Sequence, residues 1–443
     1  MADFCNDGSM EIPETTTPRI QRPEQSAPVE SPSLPERREA PAPEELAAPR
    51  PVLLYGESFH HPNVFYRTGF LAPDPVVVID EGPGKVTLWV NGMEYERARK
   101  EANVASVRSF SDLSPRVREL VKQAATPEER NAVLIKAVLE AQGITKVDVD
   151  DEFPAVISDG LRAYGIDVRP RLGIYQQQRR IKTQSEMLAI KATQDAGMDA
   201  LQRAIDVIKK AEIKDGLLYR DGKPLTGDDL VSVVEQRLLE LGCSTDDSIC
   251  CGGPDSSDPH KATSPVLRVG LPIVLDIFPF HKKNRFWGDM TRTVVRGTPP
   301  AEVMAMWNAV KEAQEAGLKA VKAGVNAKDI HIAVCEALRK RGYGSSTPGY
   351  DDIKSTARFI HGTGHGVGLE IHEEPHVGGS DVVLKEGDII TVEPGLYDPQ
   401  FGGIRIEDLI VVTKDGFVQL TTLPKIFQLD AEPGTARNAA EAP

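Results

Sequence analysis

Short apolar runs alternate with segments of helical periodicity between residues 51 and 170. The apolar runs predict strands and read PVLLY, PVVVID, KVTLWV, KVDVDDEF and IDVRP. The segments EYERARKEA, SPRVRELVKQAA and PEERNAVLIKAVLEA predict helices, the last two capped by Ser114 and Thr126. This alternation predicts a small α/β domain over residues 51–172.

Longer helices and late strands form a second pattern, which begins after the segment IYQQQRRIKTQSE. Helices are predicted over residues 184–210, in TGDDLVSVVEQRLLELG with a cap at Thr226, and in two stretches from PAEVMAMW and NAKDIHIAV. Strands are predicted around residues 248–251 and in LPIVLDIFPF, DIITVEPGLY, GGIRIEDLIVVT and FVQLTTL. Helices and antiparallel hairpins within one region indicate an α+β domain, which we place at residues 182–429.

The two ends of the chain differ in composition from these domains. Residues 1–50 hold nine prolines and ten acidic against five basic residues, with no helical or strand period. Such a segment buries too little apolar surface to offset its ordering entropy. The sequence therefore predicts a disordered acidic leader over residues 1–50 and a similar tail over residues 430–443.

Charge and composition exclude several classes of protein. A net charge of −14 argues against a general nucleic-acid surface, which needs a basic face. No apolar run approaches the ~20 residues of a membrane span, and the first residues lack the features of a secretory signal. We therefore expect a cytoplasmic protein without nucleic-acid or membrane partners. A zinc site formed by Cys243, Cys250, Cys251 and His260 is disfavoured, because zinc-site spacings are usually tighter.

Four acidic residues stand in apolar, strand-like runs, where an unpaired charge is costly to bury. They are Asp276, Asp289, Glu393 and Glu407. Only Arg292 and Arg405 lie near them in the sequence, too few cations for four carboxylates. Bound metal ions would supply the missing positive charge.

The spacing of the four acids predicts two hairpins. Asp276 and Asp289 are 13 residues apart around the polar turn HKKN, and Glu393 and Glu407 are 14 apart around DPQFGG. Antiparallel neighbours lie within reach of one another, so each hairpin would carry an acid on both arms. Two such hairpins facing each other would gather the four carboxylates around one point.

A nitrogen ligand is available in the segment HGTGHGVGLEIHEEPH. It holds four of the nine histidines, His361, His365, His372 and His376. Four carboxylates and one imidazole suit Mn²⁺, Co²⁺, Fe²⁺ or Zn²⁺, and two such ions would balance the four negative charges. Each residue alone has an ordinary structural explanation, and it is their conjunction that indicates a metal site.

Three segments closely resemble the signature stretches of the pita-bread metallopeptidases, above all aminopeptidase P and prolidase. These segments are LDIFPFHKKNRFWGDMTRT, HGTGHGVGLEIHEEP and TVEPGLYDPQFGGIRIED. The resemblance extends over residues 182–429 and, more weakly, over residues 51–170, where YRTGF and the helix near Glu94 fit. It implies a pita-bread domain preceded by a smaller creatinase-type α/β domain.

The resemblance also implies roles for single residues and for the whole chain. The implied ligands of two divalent ions, with Mn²⁺ favoured, are Asp276, Asp289, His365, Glu393 and Glu407. His260, His361, His372 and Arg405 would bind substrate, and His260, His372, Glu393 and Arg405 would take part in catalysis. The implied reaction is hydrolysis of an N-terminal Xaa-Pro bond by a hydroxide that bridges the metals, in an enzyme that forms homodimers.

One departure from the family keeps other substrates open. The hairpin between Asp276 and Asp289 is two residues longer than usual, and an even insertion keeps both acids on the same face. We expect the metals to be retained and the pocket rim near residues 280–286 to differ. One alternative is a hydrolase or lyase that acts on a small non-peptide substrate, and another is a non-catalytic protein-binding domain. A methionine aminopeptidase is disfavoured, because it lacks the N-terminal domain and a match to Arg405.

Overall fold

A six-stranded mixed sheet forms the first part of the computed structural model, which describes residues 50–430. In spatial order β4-β3-β2-β1-β5-β6, its strands are β1 (Val52–Gly56), β2 (Val76–Asp80), β3 (Val86–Val90), β4 (Ser106–Ser109), β5 (Lys146–Val149) and β6 (Asp167–Pro170). The helices of this region are α1 (Pro62–Thr68), α2 (Tyr95–Glu101), α3 (Pro115–Gln123), α4 (Pro127–Ala141), α5 (Ala155–Ala163) and α6 (Gln176–Arg180). The leader, apart from Arg50, and the tail, apart from Asp430, lie outside the described residues.

Side chains of this sheet alternate between two apolar cores, as the period of a strand requires. In β1, Leu53 packs among residues of α4 and α5, whereas Leu54 packs on the opposite face beside Val64 of α1. The α/β prediction for this region is confirmed. The pattern missed β4, α1 and α5, which are short or interrupted by glycine.

One of the two predicted caps in this region is present as a hydrogen bond. The Thr126 hydroxyl accepts a bond from the Glu129 backbone N–H at 3.2 Å. The expectation for Ser114 is wrong in detail: it occupies the N-cap position of α3, but its side chain makes no capping bond.

Antiparallel sheets and long helices make up the second region. Its helices are α7 (Gln184–Lys210), α8 (Gly227–Glu240), α9 (Ala301–Ala320) and α10 (Ala327–Lys340). Its strands are β7 (Glu212–Lys214), β8 (Leu217–Arg220), β9 (Lys223–Pro224), β10 (Cys243–Ser244), β11 (Ser248–Gly252), β12 (Ile273–Ile277), β13 (Phe280–His281), β14 (Met290–Val294), β15 (Gly344–Ser345), β16 (Arg358–Phe359), β17 (Gly364–Gly366), β18 (Glu373–Val377), β19 (Ile389–Val392), β20 (Gly395–Asp398), β21 (Gly402–Arg405), β22 (Asp408–Val412) and β23 (Phe417–Gln419). The predicted α+β class is confirmed.

Three sheets of this region position the acids. Their strand orders are β11-β12-β14, β15-β16-β20-β21 and β18-β17-β19-β22-β23. The chain passes from one sheet to another between β19 and β20, and it returns between β21 and β22. The link between β19 and β20 and the link between β21 and β22 therefore pass from one sheet to the other next to each other.

Helix α7 begins and ends where the sequence pattern placed it. Thr183 and Glu186 form a reciprocal capping box at its start, with the Thr183 N–H donating to Glu186 Oε2 at 2.7 Å. Its buried face includes Ile190, Leu201 and Ile208. The predicted cap of α8 at Thr226 is also present, in a capping box with Asp229.

No helix within residues 50–430 combines the length and the apolar character that a membrane crossing needs.

A buried ion pair joins two of the three sheets. Arg292 of β14 donates to Asp408 of β22 at 2.7 Å and to the Glu407 carbonyl at 2.6 Å. The side chains of Arg292 and Asp408 are 1% and 0% exposed. Lys425 also contacts Asp408, at 2.7 Å.

We predict that Arg292→Met lowers the free energy of unfolding by about 3–5 kcal/mol, because it leaves a buried carboxylate with fewer partners. Urea unfolding measures the effect. The control is Arg237→Met, which removes an exposed pair with Asp199 and should change the unfolding midpoint little. Equal midpoints for the two variants would contradict the prediction.

Candidate metal centre

All nine residues predicted for the site line one cavity of about 620 Å³ in the second region. They are His260, Asp276, Asp289, His361, His365, His372, Glu393, Arg405 and Glu407. Ile249, Phe278, Ile371 and Val377 add apolar surface to the same wall. Residues that are far apart in the chain therefore lie in one place, as the acid-bearing segments and the family resemblance together predicted.

The Asp276–Asp289 pair lies on antiparallel neighbours, as the spacing predicted. Asp276 lies within β12, opposite Thr291 of β14, and Asp289 directly precedes β14. Asp276 Oδ2 accepts from Arg405 Nη2 at 2.6 Å, whereas its Oδ1 is buried without a hydrogen-bond partner.

The other two acids lie where the chain changes sheets. Glu393 separates β19 from β20, and Glu407 lies between β21 and β22. The expectation that the acids lie within strands is thus correct for Asp276 alone. A strand end is the better place, because there the backbone leaves its ladder and the carboxylate can turn into the space between the sheets.

His365 of β17 faces the acids with one ring nitrogen. Its Nδ1 lies 3.1 Å from the Gly366 carbonyl, which can only accept, so Nδ1 carries the hydrogen. Nε2 lies 3.5 Å from both Asp289 Oδ2 and Glu393 Oε1 and keeps its lone pair. Burial, with the adjacent His372, lowers the pKa of His365 to about 3, and a neutral imidazole is the form that ligates metals.

The electrostatics of the carboxyl groups favour a bound cation. Burial and the neighbouring acids raise the pKa of Asp289 and of Glu407 well above the ordinary values, and burial raises that of Glu393 to about 8. Carboxyl groups in such a place either hold protons or share a cation.

Geometry agrees with this requirement. One ligand atom each from Asp289, His365 and Glu407 lies within 4.8 Å of the others. Together they offer two carboxylates and one imidazole nitrogen, whereas Asp276, with its unpartnered Oδ1, and Glu393 line the same cavity outside this three-residue cluster. The residues present therefore fit one or more divalent ions.

Arg405 connects Asp276 to Tyr397 and, through Tyr397, to His361 of the cavity. Its Nη1 donates to the Tyr397 hydroxyl at 2.8 Å. The His361 Nδ1 lies 2.8 Å from the Gly362 carbonyl, so its Nε2 accepts from the Tyr397 hydroxyl at 2.7 Å. The structure thus places His361, Tyr397, Arg405 and Asp276 in one hydrogen-bonded chain.

Three further histidines line the cavity, namely His260 and His372, which were predicted for the site, and the exposed His376. His260 follows the short helical turn at Gly253–Ser257 and is exposed. His372 is exposed too, and its ring lies edge-on to that of His365, with centroids 4.3 Å apart. His260 and His372 can therefore reach a ligand that enters from solvent.

Sequence reasoning missed the residues that hold the acids in place. Gln194 of α7 brackets the Asp289 backbone, accepting from its N–H at 2.7 Å and donating to its carbonyl at 2.9 Å. The Thr291 hydroxyl donates to Glu407 Oε2 at 2.8 Å. A signal for Gln194 existed, because it shares the buried face of α7 with Ile190 and Leu201.

Of the residues between Asp276 and Asp289, only Phe278 lines this cavity. Residues 280–286 are not among the lining residues of the described chain. The hairpin tip instead contacts the first region, where Arg285 Nη2 donates to the Phe59 carbonyl at 3.0 Å. The hairpin tip therefore adds a contact between the two regions, and the altered rim stays a prediction.

Comparison with known proteins places both regions in described families. Residues 189–414 match the metallopeptidase family M24, and residues 57–142 match the creatinase/prolidase N-terminal domain. An Xaa-Pro dipeptidase of Pyrococcus furiosus is 30% identical over 81% of this chain and 90% of its own length.

Solved structures agree with this placement. A prolidase of Pyrococcus horikoshii has a TM-score of 0.68 at 26% identity, covering 85% of this chain and 94% of the other. An Xaa-Pro dipeptidase of Bacillus anthracis has a TM-score of 0.69 at 25% identity, covering 86% and 95%.

We predict that Glu407→Gln lowers the content of bound divalent metal, since it removes one charged donor from a site built of four acids. The number of bound metal ions per chain is measured by inductively coupled plasma mass spectrometry, after dialysis against buffer with a trace concentration of the metal. Glu386→Gln, at an exposed position outside the cavity, serves as the control and should keep the wild-type content. A full metal complement in Glu407→Gln would remove Glu407 from the ligand set.

Proposed function

The chain belongs to metallopeptidase family M24, and from that membership we propose that its acidic cavity hydrolyses the N-terminal Xaa-Pro bond of peptides. The observation that carries the proposal is the convergence of five candidate metal ligands and four further polar side chains on one cavity. The named relatives that match over most of the chain are Xaa-Pro dipeptidases. The protein is a metallopeptidase that acts on peptides and uses divalent metal ions.

Five residues would hold two divalent ions, namely Asp276, Asp289, His365, Glu393 and Glu407. When bound, such ions supply an activated water nucleophile near neutral pH and polarise the scissile carbonyl. Arg405 fixes the direction of the Asp276 carboxylate through its 2.6 Å bond to Oδ2 and leaves Oδ1 without a hydrogen-bond partner. The Thr291 hydroxyl likewise fixes the direction of the Glu407 carboxylate.

Proton transfer is assigned to Glu393. A prolyl peptide nitrogen carries no hydrogen, so it must be protonated as it leaves. Glu393 lines the cavity, and its backbone N–H is fixed by a 2.7 Å bond to the Thr363 carbonyl. It is therefore a carboxylate on a rigid backbone, able to move a proton from the nucleophile to the leaving nitrogen.

The exposed histidines are assigned to the substrate carbonyl. His372 and His260 line the cavity and can donate hydrogen bonds to the oxygen that becomes negative in the transition state. The cavity acids offer the free α-amino group of the substrate a partner of opposite charge. This pairing accounts for cleavage at the N-terminus.

Several finer features belong to the same proposal. Mn²⁺ is the favoured metal, because carboxylates dominate the donor set. We propose a homodimer in the cytoplasm, and a division into an N-terminal domain at residues 51–172 and a catalytic domain at residues 182–429. The two family matches lie inside these limits.

We predict that a peptide with proline at the second position is hydrolysed at least ~10-fold more efficiently than its alanine counterpart, a difference of about 1.4 kcal/mol. Acetylating the N-terminus should abolish cleavage, because the α-amino group loses its charge. The measurement is kcat/KM on the matched peptides. Equal rates on the proline and alanine peptides would overturn the assigned specificity.

A second prediction concerns the metal. Chelation should abolish hydrolysis and lower the melting temperature, because a ligand that binds only the folded state stabilises it. Readdition of Mn²⁺ should restore more activity than Co²⁺, Zn²⁺ or Fe²⁺ at equal occupancy. Full activity in chelated protein would refute metal dependence, whereas a higher rate with another ion would refute only the choice of Mn²⁺.

A further inference from the structure

A buried ionic cluster lies outside the cavity and directly beside His372. Glu373, the first residue of β18, accepts from Arg179 Nη2 at 2.6 Å and from Lys182 Nζ at 2.7 Å. The side chains of Glu373, Arg179 and Lys182 are 6%, 6% and 1% exposed. One carboxylate is thus held by two cations from the segment around α6, which joins the two regions.

The same arginine reaches into the N-terminal region. Its Nη1 donates to Asn63 Oδ1 at 3.0 Å, and Asn63 Nδ2 donates to Asp150 Oδ2 at 2.9 Å. Asn63 lies on α1, and Asp150 directly follows β5. Arg179 Nη2 also donates to Glu370 Oε2 at 2.5 Å, so Arg179 bonds to the first region and to residues on both sides of His372.

Glu373 also fixes the chain around the cavity. Its backbone pairs with Gly366, the neighbour of His365, in the β17–β18 ladder. Its side chain folds over Gly368, where an added Cβ would lie 2.2 Å from Glu373 Oε1. The two ends of the segment 366–373 are therefore paired with each other. Its conformation depends on the position of the Glu373 carboxylate, which packs against Gly368.

Stability alone does not account for this cluster. A buried ion pair contributes little or nothing beyond what well-packed apolar residues of the same volume would contribute. Two cations that bond to the two oxygens of one carboxylate do, however, fix both the position and the orientation of that carboxylate. The residue whose position is fixed most directly is His372, the adjacent residue in the chain.

We propose that Arg179 and Lys182 are positioning residues, which act through Glu373 to hold His372 at the substrate carbonyl. The inference rests on the proposed function for the role of His372, but the contacts stand without it. Because Arg179 also bonds to Asn63 of the N-terminal region, the position of His372 should depend on how that region packs against the second region.

The chain offers a matched control on the same helix. Arg180 is 4% exposed and binds Asp388, which is 0% exposed, with bonds of 2.7 and 2.6 Å. Asp388 precedes β19 and has no covalent neighbour in the cavity. Arg180→Met should therefore match Arg179→Met in lost stability without disturbing His372.

The test compares Glu373→Gln, Arg179→Met and Arg179→Lys with Arg180→Met, all in the metal-loaded full chain. The readouts are kcat and KM on an Xaa-Pro peptide, metal content, melting temperature and hydrogen exchange of residues 366–373. Glu373→Gln and Arg179→Met should lower kcat by about 10- to 100-fold with little change in KM, as misplacement of a transition-state donor does. Arg179→Lys, which can still pair with Glu373, should recover part of that loss.

Metal content should stay at the wild-type value, and exchange of residues 366–373 should rise only in the Glu373 and Arg179 variants. Unchanged kcat in Glu373→Gln, or an equal loss of kcat in Arg180→Met, would overturn the inference. If the wild type cleaves no Xaa-Pro peptide, the proposed function fails instead. The exchange of residues 366–373 then decides the positioning role by itself, and equal exchange in wild type and Glu373→Gln refutes it.

Discussion

The need to neutralise buried carboxylates governs the second region of this protein. Asp276, Asp289 and Glu407 are each less than a tenth exposed, and they converge on one cavity. Such a group is stable only if positive charge or protons compensate it. The sheets, the hydrogen bonds around the cavity and the proposed chemistry can all be read as consequences of that requirement.

The passage of the chain from one sheet to another brings the buried carboxylates together. Strands β19 and β22 pair in one sheet, and their continuations β20 and β21 pair in another. Glu393 and Glu407 occupy the two crossing points, so their side chains leave the ladders at the same place. On the third side, Asp276 and Asp289 come from the β12–β14 pair, whose Thr291 bonds Glu407. Three strand pairs, β12–β14, β19–β22 and β20–β21, thus place acids around one cavity, and the hydrogen bonding within each pair stays continuous.

The sequence predicted what depends on short-range periodicity. The boundaries of α7, the caps at Thr126 and Thr226 and the antiparallel pairing around Asp276 follow from residues within about one hairpin of each other. The supports of the site could not be predicted in this way. Gln194 and Asp289 are 95 residues apart, and Arg179 and Glu373 are 194 apart. Such contacts depend on how whole elements pack, which no local period specifies.

Several buried acids outside the cavity are paired with cations of the chain itself, and their contrast with Asp289 and Glu407 supports the proposal that the cavity binds cations. Against the effect of burial, Lys182 and Arg179 lower the pKa of Glu373 below its ordinary value. Asp388 and Asp408 likewise have arginine partners at hydrogen-bond distance. In Asp289 and Glu407 the balance is reversed: burial and neighbouring acids raise the pKa, although Arg405 lies close enough to oppose it. The chain's own cations compensate the charge of Glu373, Asp388 and Asp408, and this difference supports the proposal that a cation from solution compensates Asp289 and Glu407.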